Sequence, residues 1–558
     1  MSERLQVEKP FLDQLASLDW QVVDQGEGLP TDPAASFRSN FREVALKSIF
    51  VDAVRRINLD ESGQPWLTDI QLQFLFDFIT SRPGSLVEAN QAVHEALSAG
   101  VDDIEHETPT GVVKRKARFV DFDDVDANHF IAINQFRIDT PAQAKEHIRP
   151  DLVLFVNGLP LVVVEAKEAN SFTSIPLDEG KRQIFRYSER RDDSTKGGVK
   201  EGEERLFHFN LFSIATTGTQ AVYGSITAEM DEFQTWRSIE PPNFQKFTPP
   251  LGGSPRAQEI LIQGMLPKPT LLDLLQNFCL FSTKRDRLVK VVCRYQQYRA
   301  ILKAMARIRT NQGNARGGVI WHTQGSGKSL TMVFFVKKIR SSKDLFDLKV
   351  IMVNDRTDLE DQLEGTAHLA GEKVVTISSA ADLKNRLSGN DSGLYLVMVH
   401  KFREATEQLP ESVKAALGIP IAAPKLKPFP EVNNSDRIIV FIDEAHRTQY
   451  SDLGNNLASA FKNAIKIAFT GTPLITSRHQ QTTLDRFGTY IDTYKLRDAQ
   501  EDGAVLPIVY VGKTTDTALS HKSEFDEKFE DLFAGRTEEE LEAIKKKYGT
   551  RDDVLGKR

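Results

Sequence analysis

The chain has 558 residues, enough for about three or four domains at roughly 150 residues each. Hydrophobic residues make up 40% and charged residues 27%, a balance that excludes a disordered chain and a membrane-embedded one. Lys+Arg 71 against Asp+Glu 78 gives a net charge of −7, which excludes a wholesale basic coat for nucleic acid but not local basic grooves. Cys279 and Cys293 are too few for a disulfide framework or a cysteine-rich zinc module, and their apolar neighbours predict buried thiols in a reducing compartment.

The opening residues MSERLQVEKP carry no apolar stretch after their charges, and no run approaches the ~18 apolar residues of a membrane span, so the expectation is a cytoplasmic protein with no membrane partner. Apolar periodicity predicts a helix over Arg42–Ile57 and another over Leu67–Ile79. A strand-rich stretch follows from Val112 to Glu165. Its most specific signal is Leu152–Val156, Asn157-Gly158-Leu159-Pro160, then Leu161–Val164, because Asn-Gly between two apolar β-branched runs specifies a hairpin.

Chemistry sits at the open end of that hairpin. Period 2 puts Glu165 and Lys167 on one face, and the return of the second strand brings Asp151 beside Glu165. Two carboxylates can hold Mg²⁺ against a phosphodiester, and an adjacent ammonium can orient water and stabilise developing charge. This is the PD-(D/E)xK pattern of nucleases, in which Asp151 and Glu165 are the expected metal ligands and Asp151, Glu165 and Lys167 the expected catalytic residues. Val162-Val163-Val164 predicts a buried strand, where an acid and a lysine are poorly explained as solubilising charges. Gln183 and Tyr187 fall one helical turn apart, as either site groups or a packing face, and Glu43 is a candidate additional carboxylate on the first helix.

Glu189–Arg205 reads as an exposed charged loop, and Glu240–Pro255, with two Pro-Pro pairs and Gly-Gly, as a linker. The expected organisation is a nuclease domain over 1–245, a linker region over 246–280, a nucleotide-binding domain over 281–515, and the start of a connection over 516–558. Within the third segment, strands are predicted at Gly318–Trp321, Lys349–Val353, Leu394–Val399, Ile438–Ile442 and Ile465–Thr470, alternating with helices as in a parallel sheet. Gly418–Pro430 reads as a Pro-rich surface loop, and Arg536–Lys547 as a charged helix. The fold class is therefore α/β, a mixed-sheet domain followed by a parallel-sheet P-loop domain.

His322-Thr323-Gln324-Gly325-Ser326-Gly327-Lys328-Ser329 follows a strand and opens a helix, so its amides form an anion nest at a helix N-terminus. Thr323, Gly325, Ser326, Gly327, Lys328 and Ser329 are the expected phosphate cradle; Lys328 reaches the β/γ oxygens and Ser329 ligates Mg²⁺. His322 stands where the general pattern has glycine. Ile438–Ile442 runs into Asp443 and Glu444, suited to holding Mg²⁺ and activating water, and a further strand ends in Thr470-Gly471-Thr472.

Phosphate loop, Asp443–His446 box and Thr470–Thr472 in that order resemble the first RecA-like domain of superfamily 2 helicases and translocases. The resemblance implies that Gln297, in Arg294-Tyr295-Gln296-Gln297, reads adenine, that Arg356 contacts DNA phosphate, and that His446, Thr470 and Thr472 respond to the nucleotide. With the hairpin acids upstream, the chain resembles the R subunit of type I restriction–modification enzymes, in which Gln183 and Tyr187 fit a Gln-xxx-Tyr motif. It implies ATP and Mg²⁺ as cofactors, double-stranded DNA as substrate, and methylation and specificity subunits as partners. The family's second RecA-like domain has no counterpart after Tyr510, so the expectation is a fragment that binds ATP weakly and hydrolyses it little. A stand-alone helicase–nuclease of DNA repair or phage defence, and a non-catalytic nucleotide-dependent clamp, are the competing readings.

Overall fold

The computed structural model describes residues 3–141, 143, 145–168, 175–190, 200–239, 255–284, 286–354, 373–402, 429–443, 452–473, 482–506 and 537. It opens with helix α1 (Lys9–Ala16) and strand β1 (Gln21–Val23), followed by helices α2 (Lys47–Ile57), α3 (Asp69–Thr80) and α4 (Leu86–Ala99). Strands β2 (Val101–Thr108) and β3 (Gly111–Ala117) form a charged hairpin, and β4 (Phe130–Asn134) returns the chain to the core. Next come a two-residue pairing of β5 (Ile138–Asp139) with β6 (His147–Ile148), then β7 (Leu152–Val156) and β8 (Leu159–Ala166), helix α5 (Pro176–Tyr187), β9 (Phe212–Thr216) and β10 (Ala221–Gly224).

The first sheet runs β1-β4-β7-β8-β9-β10, with β1–β4 and β8–β9 parallel and the other pairs antiparallel. Every residue of β4, β7, β8, β9 and β10 is buried, so the sheet is covered on both faces. The expected hairpin turn is present: Asn157 (φ 50°) and Gly158 (φ 77°) both take the left-handed conformation that a two-residue primed turn requires. Asn157 is fixed further, its amide donating to Phe119 O (2.9 Å) and its Oδ1 accepting from His129 N (2.7 Å). Pairing shifts between Leu154 and Phe155, so that Leu161 is an extra residue in β8 and Pro160, which cannot donate to a ladder, sits at the bulge.

The predicted helix at Arg42 begins later, at Lys47, because Leu46 N is drawn to Gly158 O (2.8 Å) and the helix docks on the hairpin tip. Residues 257–277, inside the expected linker region, are helices α6 (Ala257–Met265) and α7 (Lys268–Asn277). Their Leu261, Ile262, Met265, Leu271 and Leu274 are buried, and Gln14 and Trp20 donate to Glu259 O and Leu266 O (2.9 Å each), so apolar burial continues well beyond the Pro/Gly punctuation. The residues between 240 and 254, the region 403–428 of the Pro-rich insert and the helix expected at 536–547, Thr537 apart, lie outside the described residues.

Hairpin β11 (Cys279–Lys284) and β12 (Arg287–Val292), with both cysteines buried, leads into helix α8 (Tyr295–Thr310). The second sheet is built from β13 (Gly318–His322), β14 (Lys349–Asn354), β15 (Val374–Thr376), β16 (Gly393–Met398), β17 (Ile438–Ile442), β18 (Ile465–Thr470) and β19 (Tyr490–Tyr494), with helix α9 (Lys328–Ser341) after the first of these. All pairs are parallel, in the order β15-β16-β14-β17-β18-β13-β19, so the five predicted strands are joined by two that lacked a clear sequence pattern. The whole is α/β, a mixed sheet followed by a RecA-type parallel sheet. By density of contacts the chain parts after Val505, and the second unit, 506–558, holds only Leu506 and Thr537 among the described residues.

Candidate functional site

The hairpin delivers its charged groups to one point. Asp151 ends the approach to β7, with its main-chain oxygen held by Gln135 N (2.8 Å), and its Oδ2 accepts from Ala166 N across the hairpin (2.8 Å). Glu165 is wholly buried on β8, and Lys167 Nζ lies 2.5 Å from its Oε1 and 3.7 Å from Asp151 Oδ2. Lys167 N continues the ladder to Thr216 O (2.9 Å), so the lysine stays in register with the sheet. Helix α5 packs over this point, with Gly180 facing Ala215 and Lys167.

Burial pushes the Glu165 carboxyl well above its ordinary value, and Asp151 beside it pushes the same way against Lys167. Burial would pull Lys167 down, but Glu165 and Asp151 outweigh it and hold the ammonium charged. Glu165 Oε2 is buried with no hydrogen-bond partner. A cavity of about 540 Å³ opens here, lined by Asp151, Glu165, Lys167, Gln183 and Tyr187 together with Glu3, His147 and Arg149. Gln183 Nε2 donates to Tyr187 Oη (2.5 Å), which donates to Arg149 O (3.1 Å), so this helix pair braces the strand entry two residues before Asp151.

Glu43 does not join them. It lies in the turn before α2, where its carboxylate accepts from Ser39 N (2.9 Å), and it lines a different cavity with Arg42, Arg82 and Arg205. An additional acid, Glu3, comes instead from the first residues of the chain, which sequence reasoning passed over, with Glu8 buried near it. Glu3 lines the cavity and accepts from Glu168 N (3.2 Å). Glu8, buried, accepts from Asn134 (2.6 Å), Gln135 (2.9 Å) and Arg4 (2.9 Å), and burial raises both acids. No local signal marked them, since they precede the hairpin by more than a hundred residues and belong to no motif.

In the second sheet, the strand ends β13, β18, β17 and β14 lie side by side at one carboxyl edge. Gly325 (φ 85°) and Gly327 (φ 84°) take the left-handed turn of the phosphate loop, and α9 starts at Lys328, so main-chain amides crown a helix N-terminus as expected. Ser326 and Lys328 are buried and Ser329 is half-buried. Asp443 is buried at the end of β17, its N donating to Val353 O (2.9 Å). Thr470 ends β18, Thr472 N donates to its Oγ1 (3.2 Å), and Gly471 between them meets the loop so closely that a Cβ would sit 3.1 Å from Gln324 N.

Gln297 and Arg294 lie together at the start of α8. The Gln297 amide is engaged with protein at both ends, Oε1 accepting from Arg294 N (2.8 Å) and Nε2 donating to Gly327 O (3.0 Å). Arg294 keeps a buried guanidinium nitrogen without a hydrogen-bond partner. Glu444, His446 and Arg356 lie outside the described residues. A group missed in the sequence is Asn354, buried at the same carboxyl edge with both amide atoms unpaired.

Residues 1–232 match the family described as Type I restriction enzyme R protein N terminus, and residues 296–542 match SWI2/SNF2 ATPase. The putative type I restriction enzyme MjaIXP endonuclease subunit of Methanocaldococcus jannaschii is 25% identical over 575 residues, which is 100% of this chain and 50% of the relative. The type I restriction enzyme HindI endonuclease subunit of Haemophilus influenzae is 31% identical over 532 residues, 90% of this chain and 45% of the relative. The chain spans about half the length of the curated relatives it matches. Acids and lysine at a hairpin end, a phosphate loop downstream and both matched segments agree: residues 1–232 carry the N-terminal domain of type I restriction enzyme R proteins, and residues 296–542 a SWI2/SNF2 ATPase domain.

Proposed function

We propose that this chain carries the cutting and motor chemistry of a type I restriction endonuclease R subunit: ATP-driven translocation of double-stranded DNA and Mg²⁺-dependent cleavage of both strands. Methylation and specificity subunits are its partners on this reading, and the setting is cytoplasmic. No helix among the described residues is long and apolar enough to cross a membrane. The observation that carries the proposal is the buried Asp151–Glu165–Lys167 cluster, with one Glu165 oxygen left unpaired in a cavity.

That oxygen is also the fit test for a metal. An acid held wholly buried beside a second acid is a poor structural ion pair, and the donor set of two carboxylates suits a hard divalent cation. Asp151 and Glu165 would hold Mg²⁺, which supplies Lewis-acid charge to a phosphate oxygen and lowers the pKa of bound water. Lys167, charged and braced by both acids, offers fixed positive charge for the phosphate in flight. Tyr187 and Gln183 hold the strand entry that aims Asp151. In the motor, the loop amides and Lys328 would hold the nucleotide phosphates, Ser329 and Asp443 a second Mg²⁺, and Glu444 the attacking water.

The test is nicking of supercoiled plasmid by the chain with Mg²⁺ and ATP. Lys167→Ala is expected to lose roughly 100- to 1,000-fold in rate, the scale of a fixed electrostatic group at a reacting phosphate. Identical nicking by variant and wild type would falsify the assignment. Capture of methylation and specificity subunits by the chain separates this function from a free-standing helicase–nuclease.

A further inference from the structure

The phosphate loop opens on a residue too large and too polar for its position. His322 is wholly buried at the end of β13, and its Nε2 lies 3.0 Å from Oδ2 of Asp492 on the edge strand β19. Burial would raise Asp492, but the hydrogen bond from His322 and the pairing with Arg299 bring it down to about 2. A carboxylate only accepts, so Nε2 carries the imidazole proton and donates it. Nδ1 is left as a buried acceptor with no hydrogen-bond partner, and the ring's side-chain hydrogen bonding is therefore directed to β19 alone.

Asp492 is held in turn from α8. Arg299 Nε lies 2.8 Å from Oδ1 and a terminal nitrogen 2.9 Å from Oδ2, while the same nitrogen donates to Thr493 O (3.1 Å) and Lys303 Nζ lies 3.2 Å from Oδ1. Both cations sit on α8, whose first turn carries Gln297, and the Gln297 amide grips Gly327 O at the far end of the loop. Thr323 N adds a main-chain bond to Tyr494 O (2.9 Å). One helix and one edge strand thus hold the loop at both of its ends. Beyond β19 the chain passes back over the loop, with Val505 Cγ1 3.4 Å from where a Cβ on Gly325 would lie.

We propose that His322, Asp492 and Arg299 form a positioning relay that ties the geometry of the phosphate loop to β19 and α8, so that nucleotide binding and the ordering of Tyr490–Tyr494 are one coupled event. The relay rests on the reading of the loop as a nucleotide site. None of the three touches nucleotide; each acts through the loop. Coupling of this kind is reciprocal, so a stiffened loop stiffens β19 and a loosened β19 weakens the loop. With a glycine or alanine at 322, the loop entry would be joined to that strand by the main-chain ladder alone, with no side-chain tie.

The test uses the full chain, a fluorescent ADP with Mg²⁺, and amide hydrogen exchange across 490–494. His322→Leu keeps bulk and removes the donor; His322→Gln places an amide nitrogen where Nε2 stands; His322→Asn offers the same amide with too short a reach, and replaces the leucine variant if that one does not fold. Wild type and His322→Gln are expected to bind within about threefold of each other and to slow exchange at 490–494 on binding. His322→Leu and His322→Asn are expected to bind at least ~10-fold more weakly and, at saturating nucleotide, to show no slowing there, within the usual range of coupling between sites. Wild-type affinity and slowing in the leucine variant, or a glutamine variant that behaves like it, overturns the relay alone. A wild-type chain that does not bind MgADP overturns the nucleotide reading and the relay with it.

Discussion

On the proposed reading, the two candidate sites meet the same demand, placing charge beside phosphate, in opposite ways. At the hairpin end, three ionisable side chains come from seventeen consecutive residues, and burial sets them in conflict: Glu165 is pushed well above its ordinary value, while the two acids outweigh burial at Lys167 and hold its ammonium charged. At the phosphate loop, much of the placement is done by main chain, with glycine turns, a helix start and strand ends, and side chains such as Gln297 and His322 bond to protein. The first site stores unmet electrostatic demand that a cation would satisfy. The second stores shape. Each therefore has its own way of failing.

The largest expected effect separates them by substitution. Lys328→Ala should weaken binding of a fluorescent ATP analogue by roughly 100-fold, through loss of the cation at the phosphates, whereas Lys167→Ala leaves that affinity unchanged. If both variants bind alike, the division between the two sites is broken. Next comes the metal requirement. Because the Glu165 carboxyl is raised, a proton competes with a metal for it, so the Mg²⁺ concentration for half-maximal nicking should fall as pH rises, by at most about tenfold per pH unit. A requirement independent of pH would show that Glu165 surrenders no proton to the metal.

Stability sharpens the contrast further. Glu165→Gln should abolish nicking yet raise metal-free stability at pH 8, since the folded state then no longer has to disfavour the ionised form of an acid that the unfolded chain ionises freely. For an acid raised in the folded state the penalty grows as pH climbs above the ordinary 4.5, so the gain should vanish near pH 4 in chemical denaturation. Asp492 has the opposite sign. Lowered from 3.8 to about 2, it contributes stability present above its ordinary value and lost as pH falls through about 2. Asp492→Asn should cost on the order of 2 kcal/mol at neutral pH and nothing near pH 2. Equal acid limbs for the two chains would remove Asp492 from the loop's support.

The contrast also governs what could be read from the residues. Asp151, Glu165 and Lys167 were legible because hairpin pairing is local and Asn157-Gly158 declares the turn. Period 2 fixed their common face. The five inner strands of the parallel sheet were legible as apolar runs, but β15 and the edge strand β19 were not; β19 carries Asp492, whose partners lie on α8 and β13. Glu43 misled because apolar periodicity extends past the true helix start, which is set by Leu46 bonding to Gly158, a tertiary contact. Glu3 reaches the hairpin end, and Glu8 reaches Asn134 and Gln135, only through the packing of the chain's first turns, which no pattern in their neighbourhood encodes. Gln297 was identified with the nucleotide, but its grip on Gly327 depends on how α8 crosses the loop.

The extra residue at Leu161 has a consequence for fidelity. Side chains alternate along a strand, so one inserted residue reverses the facing of all that follows it. Without the bulge, a hairpin pinned at its tip by Gly158 would still close and still bury its valines in the sheet, while Glu165 and Lys167 would turn to the opposite face. Gly158 guards the starting phase, since a Cβ there would sit 2.4 Å from Leu46 O and 2.8 Å from Phe50 N. A phase error here yields a folded protein that is chemically silent. Aim at the open end of the hairpin is decided by a count of residues at the closed end.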